Sequence, residues 1–184
     1  MRLSTEAAPA GGLAIADADA DATDIGRILR HSAREAVLGA GTLPAVLGLP
    51  GNEIALLRDR YVPGLALNDL DLPLPPPPED QQAIGLLILM RAGQRSDTAA
   101  WLAAILARRA LEPRHLWEDL GLASRPALSA LIGRHLPGLK AANRHNMRWK
   151  KFFYRQICSD AAFSLCLSPS CEACDERADC FAPD

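Results

Sequence analysis

The residues best equipped for chemistry stand at the end of the chain. CLSPSCEACDERADC places Cys166, Cys171, Cys174 and Cys180 within fifteen positions, with gaps of four, two and five residues. Cys158 is the only other cysteine in the chain. Thiolates are soft donors, and four of them converging on a small volume suit either an iron-sulfur cluster or a structural zinc ion. Zinc sites commonly come as two separated knuckles, whereas here only Cys171 and Cys174 form a close pair, flanked on both sides by single cysteines. That compact array lets one loop wrap a multi-iron core, with Pro169 stiffening the loop ahead of Cys171. Cys158 has two readings: a small buried hydrophobe, or an extra or exchangeable ligand.

The stretch before the cysteines, RHNMRWKKFFYRQIC, is the second informative segment. On a helical wheel Trp149, Phe152, Phe153 and Gln156 share one face, while Arg148, Lys151 and Arg155 share another. The aromatic face reads as core. The basic face is either solvated surface or a device that offsets cluster charge or docks an acidic partner. If the helix runs through Cys158, that thiol falls three residues after Arg155 and seven after Lys151. The histidines at 31, 115, 135 and 145 show no metal-ligand pairing and read as surface or capping residues. No phosphate-binding glycine loop, HExxH or GxSxG motif occurs, so nothing announces catalysis.

These groups need a scaffold, and the chain has enough residues for one. A length of 184 residues suits one domain with a moderate core. The 20 Lys and Arg against 22 Asp and Glu give a net charge of -2, which argues against a nucleic-acid partner. No secretion signal is visible, and the longest apolar run, AIGLLILM, is too short to span a bilayer. The expectation is a cytoplasmic protein with no membrane partner, in which cysteines at one end serve metal or redox chemistry rather than cross-linking.

Residues 1–23, rich in Ala, Gly and Asp, predict a disordered acidic tail. A helical domain is expected over 24–165, broken by the polyproline stretch at 73–78, and followed by a cluster-binding segment at 166–184. The domain opens with DIGRILRHSAREAVL, and a short helix follows from Asn52 until Pro63 stops it. Beyond the prolines, EDQQAIGLLILMRAG and SDTAAWLAAILARRAL read as apolar core helices, the second capped by Ser96 or Asp97. HLWEDLGL ends at Gly121, and SRPALSALIGRHL starts from Ser124 with Pro126 in its first turn. No strand pattern competes. The fold class is therefore all-α, with an irregular cysteine-rich C-terminal metal-binding loop.

Taken together, HLWEDLGL, the following Arg125 and Leu128, NMRWKKFFYRQIC, and Cys-x4-Cys-x2-Cys-x5-Cys with Phe181 after it resemble the NifQ family over residues 85 to 182. The family often has a glycine after the CF pair, whereas this chain ends CFAPD. The resemblance implies a non-enzymatic carrier of molybdenum and an iron-sulfur cluster, which donates molybdenum for the iron-molybdenum cofactor of nitrogenase. It implies a molybdenum-iron-sulfur cluster on Cys166, Cys171, Cys174 and Cys180, with Cys158 matching the cysteine that ends the family's aromatic and basic stretch. Implied partners are the cofactor assembly proteins, namely the scaffold complex and dinitrogenase reductase, together with molybdate or a molybdenum-storage donor. Two rivals remain at this point. A DNA-repair glycosylase also joins an all-α body to a C-terminal four-cysteine cluster, but its usual first gap is longer and its catalytic arrangement is not visible here. A zinc-stabilised interaction protein would be colourless.

Overall fold

The computed structural model describes residues 10–160, with side chains from residue 16 to residue 157. The described residues are helical and irregular, with no strand among them. In chain order the helices are α1 (Ala10–Glu35), α2 (Leu43–Leu47), α3 (Gly51–Tyr61), α4 (Glu79–Met90), α5 (Asp97–Arg109), α6 (Leu116–Asp119), α7 (Arg125–His135), α8 (Pro137–Ala142) and α9 (Trp149–Asp160). A π-helical turn, Ala36–Ala40, closes α1. None of these helices is long and apolar enough to cross a membrane.

The core is built around α5. Trp101, Leu102, Ala103, Ile105, Leu106 and Ala107 are all buried, so this helix is covered on nearly every side. Ser96 starts it by accepting a hydrogen bond from the Ala99 N–H at 3.1 Å. The small Gly85 on α4 faces Ala107, which lets the two helices lie close. Ile25, Ile28 and Leu29 from α1, Ile54 and Leu57 from α3, and Leu128, Leu131 and Ile132 from α7 complete the same apolar cluster.

Helix α1 departs from the sequence expectation. It begins at Ala10, so residues 10–23, expected as tail, are helical. Alanine favours helix, and two aspartates of α1 have partners that composition does not reveal. Asp21 and Asp24 are buried, and Arg134 on α7 donates to them at 2.6 and 2.9 Å. His135 Nε2 lies 2.9 Å from Asp21 as well. Residues 1–9 of that expected tail lie outside the described residues.

Two short helices were not expected from the sequence, because α2 and α8 are too brief to show an apolar repeat. Each is set by local chemistry instead. Thr42 caps α2 by accepting from the Ala45 N–H at 3.2 Å, and Pro137 opens α8. Helix α3 starts at Gly51 behind Pro50, one position earlier than the Asn52 start expected for it.

Between α3 and α4 the chain runs as an irregular strap whose Leu65, Leu67 and Leu70 pack against the core. Gly51 is where the strap touches down: a Cβ there would sit 1.5 Å from the Leu70 carbonyl oxygen, so only glycine fits. Residues 73–78 carry no helix, and Pro73, Pro75, Pro76, Pro77 and Pro78 are exposed.

Candidate metal centre

Helix α9 is the element that leads towards the cysteines, and several independent contacts fix its course. The turn before it is closed by a reciprocal pair: Asn143 Nδ2 donates to the Met147 carbonyl, and the Met147 N–H donates to Asn143 Oδ1, both at 2.8 Å. Arg125 at the start of α7 donates to the Asn146 carbonyl in the same turn. Trp149 Nε1 donates to Ser129 Oγ at 3.1 Å, which ties the first turn of α9 to α7. Trp149, Phe152 and Phe153 are buried against one another, with ring centroids 5.8 to 6.2 Å apart. The aromatic face read from the sequence is thus core, with Gln156 partly buried at its edge.

Lys150 adds a second anchor on this helix. Its Nζ donates to Asp119 Oδ2 at 2.6 Å and to the Glu112 carbonyl. The Asp119 side chain is only 2% exposed, and its other oxygen lies 3.3 Å from Arg114 Nε. Arg109, equally buried, donates to the Asp119 carbonyl and to Glu35, whose other oxygen lies 3.2 Å from His31 Nε2. A buried polar chain therefore runs from α1 through α5 and α6 to α9. Wheel reasoning did not single out Lys150, although its spacing from Phe153 and Tyr154 marks the inner side of the helix.

The basic residues lie away from that anchor. Arg148 and Lys151 are partly buried and Arg155 is exposed; one Arg155 nitrogen lies 3.9 Å from Met147 Sδ. Tyr154 is partly buried, and burial pushes its hydroxyl above the usual phenol range, with the charge of Asp80 adding to the effect. Asp80 stands in the first turn of α4, so the half of α9 that leads to Cys158 runs past the start of α4.

Cys158 falls in the last turns of α9, and its side chain is not among those described. Cys166, Cys171, Cys174 and Cys180 lie outside the described residues, as does the irregular loop expected to carry them. Among the described residues no group of three or more His, Cys, Asp or Glu is placed to hold a metal ion. The histidines serve structure where their contacts are seen: His31 faces Glu35, His135 faces Asp21, and the His115 N–H donates to Glu118 at 3.0 Å at the start of α6.

Among the described residues the scaffold is all-helical, and its helix α9 carries an aromatic and basic stretch that precedes four cysteines in the sequence, which defines a class of small helical protein with a cysteine-rich C-terminal sequence. The family model for NifQ matches residues 27–182, which takes in α9 and all five cysteines. The chain belongs to the NifQ family. It is 68% identical over 160 residues to the protein NifQ of Rhodobacter capsulatus, covering 87% of this chain and 89% of that one. A NifQ homolog of Sinorhizobium fredii (strain NBRC 101917 / NGR234) is 40% identical over 84% of this chain and 68% of its own length. The protein NifQ of Klebsiella pneumoniae is 38% identical over 78% of this chain and 90% of its own. No solved structure matches the chain.

Proposed function

We infer that this protein acts in nitrogen fixation as a cytoplasmic carrier of molybdenum. In this reading it holds the metal with iron and sulfide on Cys166, Cys171, Cys174 and Cys180, and donates it for synthesis of the iron-molybdenum cofactor of nitrogenase. The observation that carries the reading is the match to the NifQ family across residues 27–182, with the four-cysteine run inside the matched region. The donor set is chemically suited to the cargo, since thiolates hold iron and reduced molybdenum, whereas free molybdate is a hard oxyanion better served by N–H groups and arginine. The protein is a donor rather than a catalyst, and Cys158 is either an additional or exchangeable ligand or a buried packing residue. Arg148, Lys151 and Arg155 offset cluster charge or meet the acidic surface of an assembly protein, the scaffold complex or dinitrogenase reductase. Molybdate or a molybdenum-storage protein supplies the metal.

Metal analysis of protein purified without oxygen tests this. Brown protein containing iron, sulfide and molybdenum is the expected result. Colourless protein containing zinc alone would overturn it.

A further inference from the structure

The strap between α3 and α4 has more exposed, rigid apolar surface than a connection requires. LPLPPPPED holds Pro73 and Pro76, and Pro75 and Pro78, at PxxP spacing. Pro78 has φ -63 and ψ 162, within the polyproline II region. Five of the six residues from 73 to 78 are exposed, with only Leu74 turned partly inward, so the prolines contribute little to the core. The strap is held at both ends. Leu70 packs over Gly51 at one end, and at the other Gln82 Nε2 donates to the Pro77 carbonyl at 2.8 Å while the Gln82 N–H donates to the Pro78 carbonyl at 3.0 Å. Its position is informative too, because it feeds directly into the turn of α4 that lies beside Tyr154 on α9.

We propose that residues 72–78 form a docking strand for a partner protein with an aromatic-lined groove. A polyproline II segment is already ordered, so binding it costs little conformational entropy. Its proline rings stack on Trp and Tyr side chains, and its carbonyls accept hydrogen bonds from indole and phenol groups. Residues 73–78 lie in neither strand nor helix, so the strap itself presents neither a sheet edge nor a helical face. A partner seated there approaches the half of α9 that leads to Cys158. The assignment does not depend on which metal the cysteines hold.

The test places a photo-crosslinking benzophenone residue at Leu72 of the full chain, in cells fixing nitrogen, with a second copy of the probe at Glu53 as control. The protein captured at Leu72 is purified and titrated with the unmodified chain and with a variant carrying Pro75→Ala, Pro76→Ala and Pro77→Ala. A peptide of residues 69–80 and its alanine counterpart serve as competitors. The expected result is capture at Leu72 above the control, affinity at least tenfold weaker for the triple variant at unchanged helicity and melting temperature, and competition by the proline peptide alone. Equal affinity of both chains, capture no greater than at Glu53, or equal competition by both peptides would overturn the proposal. Should the triple variant fold poorly, the peptide pair alone decides. Metal content of the unmodified chain is read separately, so failure of the carrier function is not confused with failure of docking.

Discussion

Single side chains divide here into those that hold the body together and those assigned to metal. Asp119 and Lys150 belong to the first group. Removing Lys150 leaves the buried Asp119 carboxylate with Arg114 alone, at a cost of about 2 kcal/mol. Lys150→Met is therefore expected to lower the stability by about that amount in a urea titration, whereas Arg155→Glu on the exposed side shifts it by about 0.5 kcal/mol. The proposed function puts the cysteines in the second group. Serine in place of Cys166, Cys171, Cys174 or Cys180 substitutes a hard hydroxyl for a thiolate, so iron content and visible absorption fall together. Normal values in three of the four variants would remove the site from these residues. Cys158→Ser separates the two readings of that thiol: full iron with lost molybdenum marks a ligand for the cargo, and unchanged amounts of both mark a packing residue.

At the level of helices, much was legible in advance. Ser96 and Ser124 are textual caps that the structure uses as such, each accepting from the N–H three residues on. Apolar content marked α4 and α5, and the Ser124 cap with Pro126 marked α7. Local pattern did not mark α2 or α8, which are set by one cap or one proline, and it did not foresee α1 extending back to Ala10. That extension depends on Arg134 more than 100 residues away, a contact no local pattern encodes. At the site, the aromatic side of α9 was readable from spacing, whereas Lys150 was not separated from Lys151 because its partner Asp119 is remote in sequence. The α1 to α7 contact also carries a pH signature. Burial alone would raise the Asp21 pKa, but hydrogen bonds and charge from His135 and Arg134 outweigh it and hold the carboxyl below its ordinary value. A lowered pKa gives stability that is fully present above about pH 4 and fades as the pH falls through the folded value. Asp21→Asn is expected to destabilise by about 2 kcal/mol at pH 6, with the gap to the unmodified chain closing in acid. A gap that stays constant down to pH 2 would show that the carboxylate charge is irrelevant. Chelation tests the independence of the body: hydrogen exchange in α4, α5 and α7 is expected to stay protected when metal is removed, because their buried faces meet one another.

Across the whole molecule, charge is sorted by position. Residues 121–159 hold eight Lys and Arg and no Asp or Glu, which leaves twelve basic against twenty-two acidic residues elsewhere. Two of the eight, Arg134 and Lys150, are committed to buried acids of other helices, while Lys140, Arg144 and Arg155 are exposed. In the proposed carrier role these cations would steer an acidic partner, and such steering weakens with ionic strength. Changing Arg148, Lys151 and Arg155 together to Glu is expected to slow molybdenum transfer to the cofactor scaffold without unfolding the chain. Raised salt should slow the unmodified protein in the same way, and a triple variant that transfers normally at low salt would assign this face to solvation alone. The strap gives the molecule one more property. The segments on either side of it are interlocked: α1 is bound to α7 through Asp21, Asp24 and Arg134, the Arg108 side chain of α5 donates to the Ala45 carbonyl at 2.9 Å, and Tyr61 shares a 2.8 Å hydrogen bond with Thr98. Covalent continuity through residues 62–78 is thus not what keeps the two portions together. Synthesised as separate pieces, they are expected to associate through these contacts, so the exposed prolines 75–77 can vary with whatever they must meet, while Leu65, Leu67 and Leu70 stay bound to the core they pack against.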